Sequence, residues 1–419
     1  MMSFASLLLI GTLGCADTPR EPESWIRSGT ESELASTLEI ASRRYEAPDA
    51  PDVWLVGVTH IGDAGYYEAL SNLVADVDVV LYESVMPEGA RPHSADTDES
   101  RRASTRAGLD LLANVAERCP EPPAAVESFV DCVRGLDLRL VGWVRNASVD
   151  AWGRSIRYEV DPEDGGLELR SAGSDGRFDT EDDLVAVGGS RPDAEAAQPD
   201  RNLQAMLADS LGLRFQLESM PYDADAWRVS DMTMHEVEAA FARRGIEFAV
   251  IGDMLSGASI PAQLINAMLA LIPFGDAISG GAVSDGIKVV LIELLGSPGI
   301  LNVTDQQFGE GFHEVIVVER NTVPLVDLDR IVDVESDVES VAILYGAAHM
   351  PDMAERLLAS KHGYRLVESR WDDAIEVDLA NSPLTERDRK SIRRSIRLAL
   401  AQLKRQARLE RERNESEAE

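Results

Sequence analysis

Two of the six histidines sit in equivalent surroundings. His60 ends the stretch VWLVGVTH, and a helical pattern and VVLYES follow. His349 ends VAILYGAAH, and a helical pattern and YRLVES follow. Each copy reads as a buried strand, Gly-x-x-His, a helix, and a strand closing on Glu-Ser, with Glu83 and Glu368 at the two closures. The glycine allows a sharp turn off the strand end and the close approach of a neighbouring backbone. The histidine then lies just beyond the carboxyl end of a strand, the edge where open α/β sheets bind ligands. Parallel strands lie about 4.8 Å apart, so two such histidines can share one ion through bonds of about 2.1 Å. Glu83, on the same edge, can give a ligand oxygen or act as a general base. Spacing alone leaves two readings open: a metal or acid/base site, and a pair of satisfied structural histidines. His-Glu-x-x-His, Gly-x-Ser-x-Gly, Gly-x-x-x-x-Gly-Lys and Cys-x-x-Cys are all absent from the sequence.

The elements that must position these residues follow from hydropathy. Val53–Val58 and Val77–Glu83 read as buried strands around a helix over Ala64–Asp76. Residues 85–107 read as polar and irregular. Leu109–Val133 reads as helix broken at Pro120, and Leu136–Trp143 as strand. Helices are expected over Leu203–Leu213, Thr233–Arg244, Pro261–Leu271, Ile287–Leu295 and Pro351–His362. Strands are expected over Val315–Arg320, Ser340–Tyr345 and Tyr364–Trp371. The alternation predicts an α/β fold, with strand–helix–strand pseudo-repeats forming a central sheet flanked by helices.

The 419 residues carry 40 Lys+Arg against 74 Asp+Glu, a net charge of −34. A surface that acidic repels phosphate, so no nucleic-acid partner is expected. The apolar run MMSFASLLLIGTLG before Cys15 is too short to span a bilayer, which takes about 20 residues, and fits the apolar part of a secretion signal. Leu13-Gly14-Cys15 resembles a lipobox, which makes Cys15 the expected lipidated first residue and a lipid anchor the expected membrane contact. A plain secretion signal or a buried helix are the alternatives. Ile260–Phe274 is also too short to span. Export places the chain where disulfides persist, and Cys119 and Cys132 are the expected pair, with two buried thiols as the alternative. From Arg387 to Arg413 there are 11 basic and 3 acidic residues around an apolar helical stripe. That tail reads as a helix packing one side on the body, or as a basic face for anionic headgroups.

The segment GVTHIGDAGYYEALSNLVADVDVVLYE resembles the first signature of the TraB/PrgY/GumN/TIKI family. VIVVERNTVPLVDLDRI and VAILYGAAHMPDMAERLLASKHGYRLV resemble its second block, and Gln216 with Tyr222–Asp231 is similar to its middle region. The resemblance covers roughly 50–85 and 200–370. It implies metal-dependent peptide hydrolysis, with manganese, cobalt or zinc as the ion and a peptide or protein as substrate. His60, His349 and Glu83 match the motif positions for the metal, and Glu83 and Arg320 those for catalysis. Arg320 would hold a carboxylate or a developing oxyanion, or form a structural ion pair. Glu368 matches no family position.

A second resemblance lies within Asp150–Val185. DAWGRSIRYEVDPEDGGLELRSAGSDGRFDTEDDLV is similar to the carboxyl end of the major pseudopilin of type II secretion. It implies calcium held by Ser171, Asp175, Asp182, Asp183 and loop carbonyls, the oxygen-rich set a hard cation takes. An acidic hairpin without an ion is the alternative. The expected organisation is a lipoprotein-type signal over 1–15, a polar tether over 16–45 and a TraB-like domain over 46–145. A calcium-binding β insert follows over 146–190, then the rest of the domain over 191–382 and a basic helical tail over 383–419. The expected function is that of an exported, lipid-anchored, metal-dependent peptidase of the cell envelope. Its rivals are a non-catalytic envelope protein binding a peptide or pheromone-like ligand, and an accessory of type II secretion.

Overall fold

The computed structural model describes residues 24–29, 35–90, 97–161, 165–189, 211–246, 280–297 and 311–398, with Ala401 and Arg405. Cys15, the signal and most of the tether lie outside them, as do the helices expected over Leu203–Leu213 (all but its last three residues) and Pro261–Leu271, and the end of the basic tail.

The strands are β1 (Ile26–Gly29), β2 (Ala35–Ala47), β3 (Ala50–Val58), β4 (Ile61–Gly62), β5 (Val79–Tyr82), β6 (Arg157–Val160), β7 (Gly166–Ser171), β8 (Leu184–Gly189), β9 (Arg214–Phe215), β10 (Trp227–Val229), β11 (Ser340–Gly346) and β12 (Arg365–Asp378). The helices are α1 (Ala64–Leu73), α2 (Asp98–Ala116), α3 (Val126–Arg134), α4 (Leu138–Ala147), the single turn α5 (Gln216–Ser219), α6 (Met234–Arg243), α7 (Ala282–Leu295), α8 (Arg320–Val334) and α9 (Met350–Leu358).

The main sheet is mixed α/β architecture. β3, β11, β5 and β10 lie side by side and parallel, while β2 runs antiparallel to β3 and pairs with both β1 and β12. β11, from the far end of the chain, lies between the two early strands β3 and β5. Alternate residues of the parallel strands feed two cores. Val53, Leu55, Val79, Leu81, Val341 and Ile343 bury on one face; Val56, Val58, Val80, Tyr82, Ala342 and Leu344 bury on the other. Burial on both faces explains why these strands read as unbroken apolar runs.

Four local expectations are corrected. Residues 98–107 are the first half of α2, opened by a capping box between Thr97 and Ser100 that satisfies the free N–H groups of the first turn. Leu136–Trp143 is not a strand but lies mostly in α4. Leu140, Val141, Val144 and Ala147 share a buried helical face, and Asp137 caps it through the Arg139 amide. Val315–Arg320 is a π-helical turn over Glu314–Glu319 running into α8. Its β-branched residues suit a strand, but Val315 buries against Val237, Ala240 and Phe241 of α6, and that packing overrides propensity. Residues 26–29 and 35–45, expected within the polar tether, belong to β1 and β2 of the main sheet.

The β insert is a three-stranded antiparallel sheet in the order β6–β7–β8. It has no core of its own. Leu167, Leu169, Leu184 and Ala186 pack into one cluster with Leu109, Leu112, Phe129, Val141 and Val144 of α2–α4. Cys119 and Cys132 are disulfide-bonded, with their Cα atoms 5.8 Å apart, tying the end of α2 to α3. A helix over 386–398 carries the described part of the basic tail, and its Arg393 pairs with Glu293 at 2.5 Å. Among the described residues no helix is long and apolar enough to cross a membrane.

Candidate active site

The carboxyl ends of the four parallel strands converge on one edge. β3 leads to His60, β11 to His349, β5 to Glu83 and β10 to Asp231. The register sets this: Val58 pairs with Gly346, Tyr82 with Leu344, and Val229 with Tyr82. The two Gly-x-x-His stretches, from opposite ends of the sequence, thus become neighbours. The glycines serve close approach, and neither takes a left-handed φ. A Cβ on Gly57 would stand 2.9 Å from the Ala41 carbonyl oxygen, and one on Gly346 would stand 3.2 Å from Glu83 Oε2.

Glu83 is the centre of the cluster. Its Oε2 accepts the Gly346 N–H at 2.7 Å, and its Oε1 accepts from Arg320 Nη2 at 2.6 Å. His349 Nε2 stands 3.6 Å from the same Oε1. Burial alone would raise the Glu83 pKa. Arg320, helped by the two histidines and the Gly346 N–H, more than offsets this and holds the carboxyl below its ordinary range. His349 is 5 % exposed, and burial pushes it down to about 4 against the pull of Glu83. The Tyr345 ring meets the His349 ring edge-on, with centroids 5.3 Å apart. His60 is exposed, so the cluster opens to solvent on that side.

Both imidazoles are held by a buried side-chain amide. His60 Nδ1 lies 3.0 Å from Gln216 Oε1, and His349 Nδ1 lies 2.7 Å from Asn321 Oδ1. An amide oxygen only accepts, so each Nδ1 donates, which in a neutral ring leaves the lone pair on Nε2.

Arg320 points inward. Its Nε and Nη2 reach the two oxygens of Asp231 at 3.0 and 2.6 Å, and Nη2 also reaches Glu83. Asp231 is fully buried, and burial together with ionised Glu83 raises its pKa despite that contact. One guanidinium thus faces two carboxylates. Of the two roles expected for Arg320, the geometry shows the ion pair, made to Asp231 through two nitrogens and to Glu83 through one. Among the described residues, no group of three or more His, Cys, Asp or Glu side chains forms a ready-made metal set. Glu368 lies away from the site: β12 pairs antiparallel with β2, and Glu368 faces Arg44 at 3.4 Å. The second pseudo-repeat therefore departs from the first at its last strand.

Asp231 and Asn321 carry no role in the sequence reading, although Asp231 closes the quoted middle stretch and Asn321 follows Arg320 directly. No spacing rule marks either; both matter only once β10 and α8 face the same strand ends.

In the insert, each residue expected to bind calcium already has a partner, but Asp183 Oδ1 is buried with none among the described residues. Asp182 Oδ2 accepts from Ser174 Oγ and the Asp175 amide, each at 2.9 Å, and Asp182 pairs with Arg102. Asp183 accepts from Arg170 Nη1 and the Asp179 amide, each at 2.9 Å. Arg154 donates to the Gly173 and Ser174 carbonyls. Ser171 Oγ is turned to Asp150 at 2.7 Å, and Asp175 accepts the Arg177 amide at 2.8 Å.

Comparison of the chain with protein-family models, curated proteins and solved structures gives no match.

Proposed function

We propose that this chain is an exported, lipid-anchored hydrolase that cuts peptides with a divalent metal, of the kind its two Gly-x-x-His stretches resemble. The observation that carries this reading is the facing of His349 Nε2 and Glu83 Oε1 at 3.6 Å. Both atoms are acceptors, so neither has a hydrogen to offer the other, and a cation resolves the opposition. The charge of the cluster points the same way, since among the described residues Arg320 is the one guanidinium that faces both Glu83 and Asp231. Two imidazole nitrogens and a carboxylate oxygen suit zinc, manganese or cobalt. His60, His349 and Glu83 are the residues that would hold the ion. Binding would tighten the set, as catalytic contacts that are loose in the free protein commonly do.

Bound there, the metal supplies Lewis acidity, lowering the pKa of a water and polarising a carbonyl. The side chains match that division of labour. A histidine that titrates near 4 is a weak base at neutral pH but is a ligand that needs no deprotonation. Glu83, held ionised by Arg320, likewise serves better as a ligand than as a proton acceptor. Arg320 and Asp231 fix its position.

Export and anchoring at Cys15 belong to the same proposal. They are supported by the short apolar run ending in Leu13-Gly14-Cys15, and by the disulfide, a bond that persists in oxidising compartments. We propose calcium for the insert as well. The arginines on its oxygens are partly exposed, and for a pair near the surface such as Arg102–Asp182 displacement by an ion costs about 0–1 kcal/mol, while buried Asp183 Oδ1 stands without a partner among the described residues.

The test is elemental analysis of the purified protein, with a peptide-library cleavage assay in manganese, cobalt or zinc. Wild type should hold one transition metal per chain, and His60→Ala and His349→Ala should each lose most of it, because the remaining His-carboxylate pair is a poor site. A wild type that holds no stoichiometric metal and cuts nothing would put the ligand-binding envelope protein in its place.

A further inference from the structure

We infer that Gln216 and Asn321 are paired positioning residues, each locking one site histidine in the Nδ1–H tautomer, which leaves the lone pair of each ring on Nε2. This rests on reading His60 and His349 as the working pair, but it makes a separate claim about the metal-free protein.

The two amides come from unrelated places. Gln216 opens α5, brought beside His60 by the pairing of β4 with β9, in which Ile61 faces Phe215 and Gly62 faces Arg214. Asn321 is the second residue of α8. Yet each grips its histidine twice. The Gln216 backbone N–H donates to the His60 carbonyl at 2.8 Å while its Oε1 meets Nδ1. Asn321 Nδ2 donates to the His349 carbonyl at 3.0 Å while its Oδ1 meets Nδ1. The same peptide and the same ring nitrogen are held in both cases, which fixes ring orientation as well as tautomer.

Both amides are themselves held. Gln216 is 3 % exposed and donates through Nε2 to the hydroxyl of fully buried Tyr222 at 2.9 Å. Asn321 is fully buried, and its Nδ2 also reaches Asp352 at 2.7 Å. That second contact fixes the direction of the Asn321 amide. With two carbonyl-type acceptors on one side, only the NH2 group fits there, so the oxygen must face the ring. The residue type is informative too. A carboxylate at either place would also accept from Nδ1, but it would bring a further negative charge beside Glu83 and Asp231. An amide sets the tautomer with no charge.

The experiment is long-range ¹H–¹⁵N correlation NMR on the full chain, labelled with ¹⁵N-histidine and stripped of metal, at neutral pH. His60 and His349 should both show the pattern of a neutral ring protonated at Nδ1. Asn321→Leu should release His349 to a mixture of tautomers and leave His60 unchanged, and Gln216→Met should do the reverse. Gln216→Glu keeps an acceptor oxygen toward the ring, and the Tyr222 hydroxyl can donate to its other oxygen, so it should keep the tautomer. In metal titrations read by bound zinc, Asn321→Leu and Gln216→Met should each weaken affinity about 10- to 100-fold, and Gln216→Glu should recover much of the second loss. A wild-type ring protonated at Nε2, or a pattern that survives loss of the amide oxygen, overturns the inference whether or not metal binds. Where Asn321→Leu does not fold, the Gln216 pair and the wild-type spectrum still decide it. If the tautomers respond as stated but neither zinc, manganese nor cobalt binds, the positioning stands and the hydrolase reading falls.

Discussion

Glu83 and His349 make the site's stability depend on pH, and the sign can be worked out. An unfolded histidine takes its proton near 6.5, whereas buried His349 resists it down to about 4. Between those values the unfolded chain binds a proton that the fold refuses. Stability from this residue is therefore full above about pH 6.5, falls as the pH drops, and stops falling near 4. The total is roughly 3 kcal/mol at about 1.4 kcal/mol per pH unit. Glu83, held below the ordinary carboxylate range, adds a loss of the same sign once the pH passes below its unfolded value. Urea unfolding of metal-free protein at a series of pH values should show this slope, and His349→Asn should flatten it between 6.5 and 4. An unchanged slope in that variant would place the titration elsewhere.

At the scale of elements, the insert and the disulfide make distinct predictions. β6–β8 rest on α2–α4, so the proposed ion in the 173–183 turns would stabilise a loop on a shared core. Chelation should make residues 160–190 more open to protease, and Asp182→Ala, which removes the oxygen holding Ser174 and Asp175, should do so without chelator. Cleavage that ignores calcium would leave Arg102, Arg154 and Arg170 as the loop's counter-charges. The Cys119–Cys132 bridge closes a short loop with a sequence separation of 13, for which the chain-entropy estimate is about 3 kcal/mol. Cys119→Ala with Cys132→Ala should lower unfolding stability by about that much, and reduction of the wild type should do the same. Full thiol labelling of the native, unreduced protein would contradict the bridge.

At the scale of the whole molecule, the site is assembled from strands that are far apart in sequence. β11 completes it only by lying between β3 and β5, so no contiguous half of the chain holds both histidines. The long-range pairing gives the early strands a partner that arrives late in the chain, a topology that folds slowly because loop closure precedes the reward of contact. The proposed anchor belongs to this scale as well. Mass spectrometry of the N-terminal peptide from envelope fractions should show a diacylglyceryl group on Cys15, and a mature chain starting elsewhere would remove the anchor from the proposal. A protein tethered in this way would work close to the membrane, where a net charge of −34 disfavours contact of its acidic body with phosphate-rich surfaces.

Some of this was written in local sequence. The buried strands at Val53–Val58 and Ser340–Tyr345 show as apolar runs because both their faces are covered. The two Gly-x-x-His stretches mark strand ends because glycine is needed where Gly57 meets the Ala41 carbonyl. The helix from Ala64 follows from the spacing of its apolar residues, and the one after Thr233 from spacing and a capping box with Glu236. Other features depended on tertiary packing. Val315–Arg320 has the composition of a strand but is wound helically against α6, and Leu136–Trp143 is helical because its apolar face closes the core beneath the insert. The second pseudo-repeat looked equivalent to the first until β12 paired antiparallel with β2 and carried Glu368 out to Arg44. Asp231, Gln216 and Asn321 gain their roles only from what lies across from them. A hydrogen bond between residues distant in the chain leaves no periodicity, and the lone pairs of His60 and His349 are aimed by partners that only the folded sheet brings within reach.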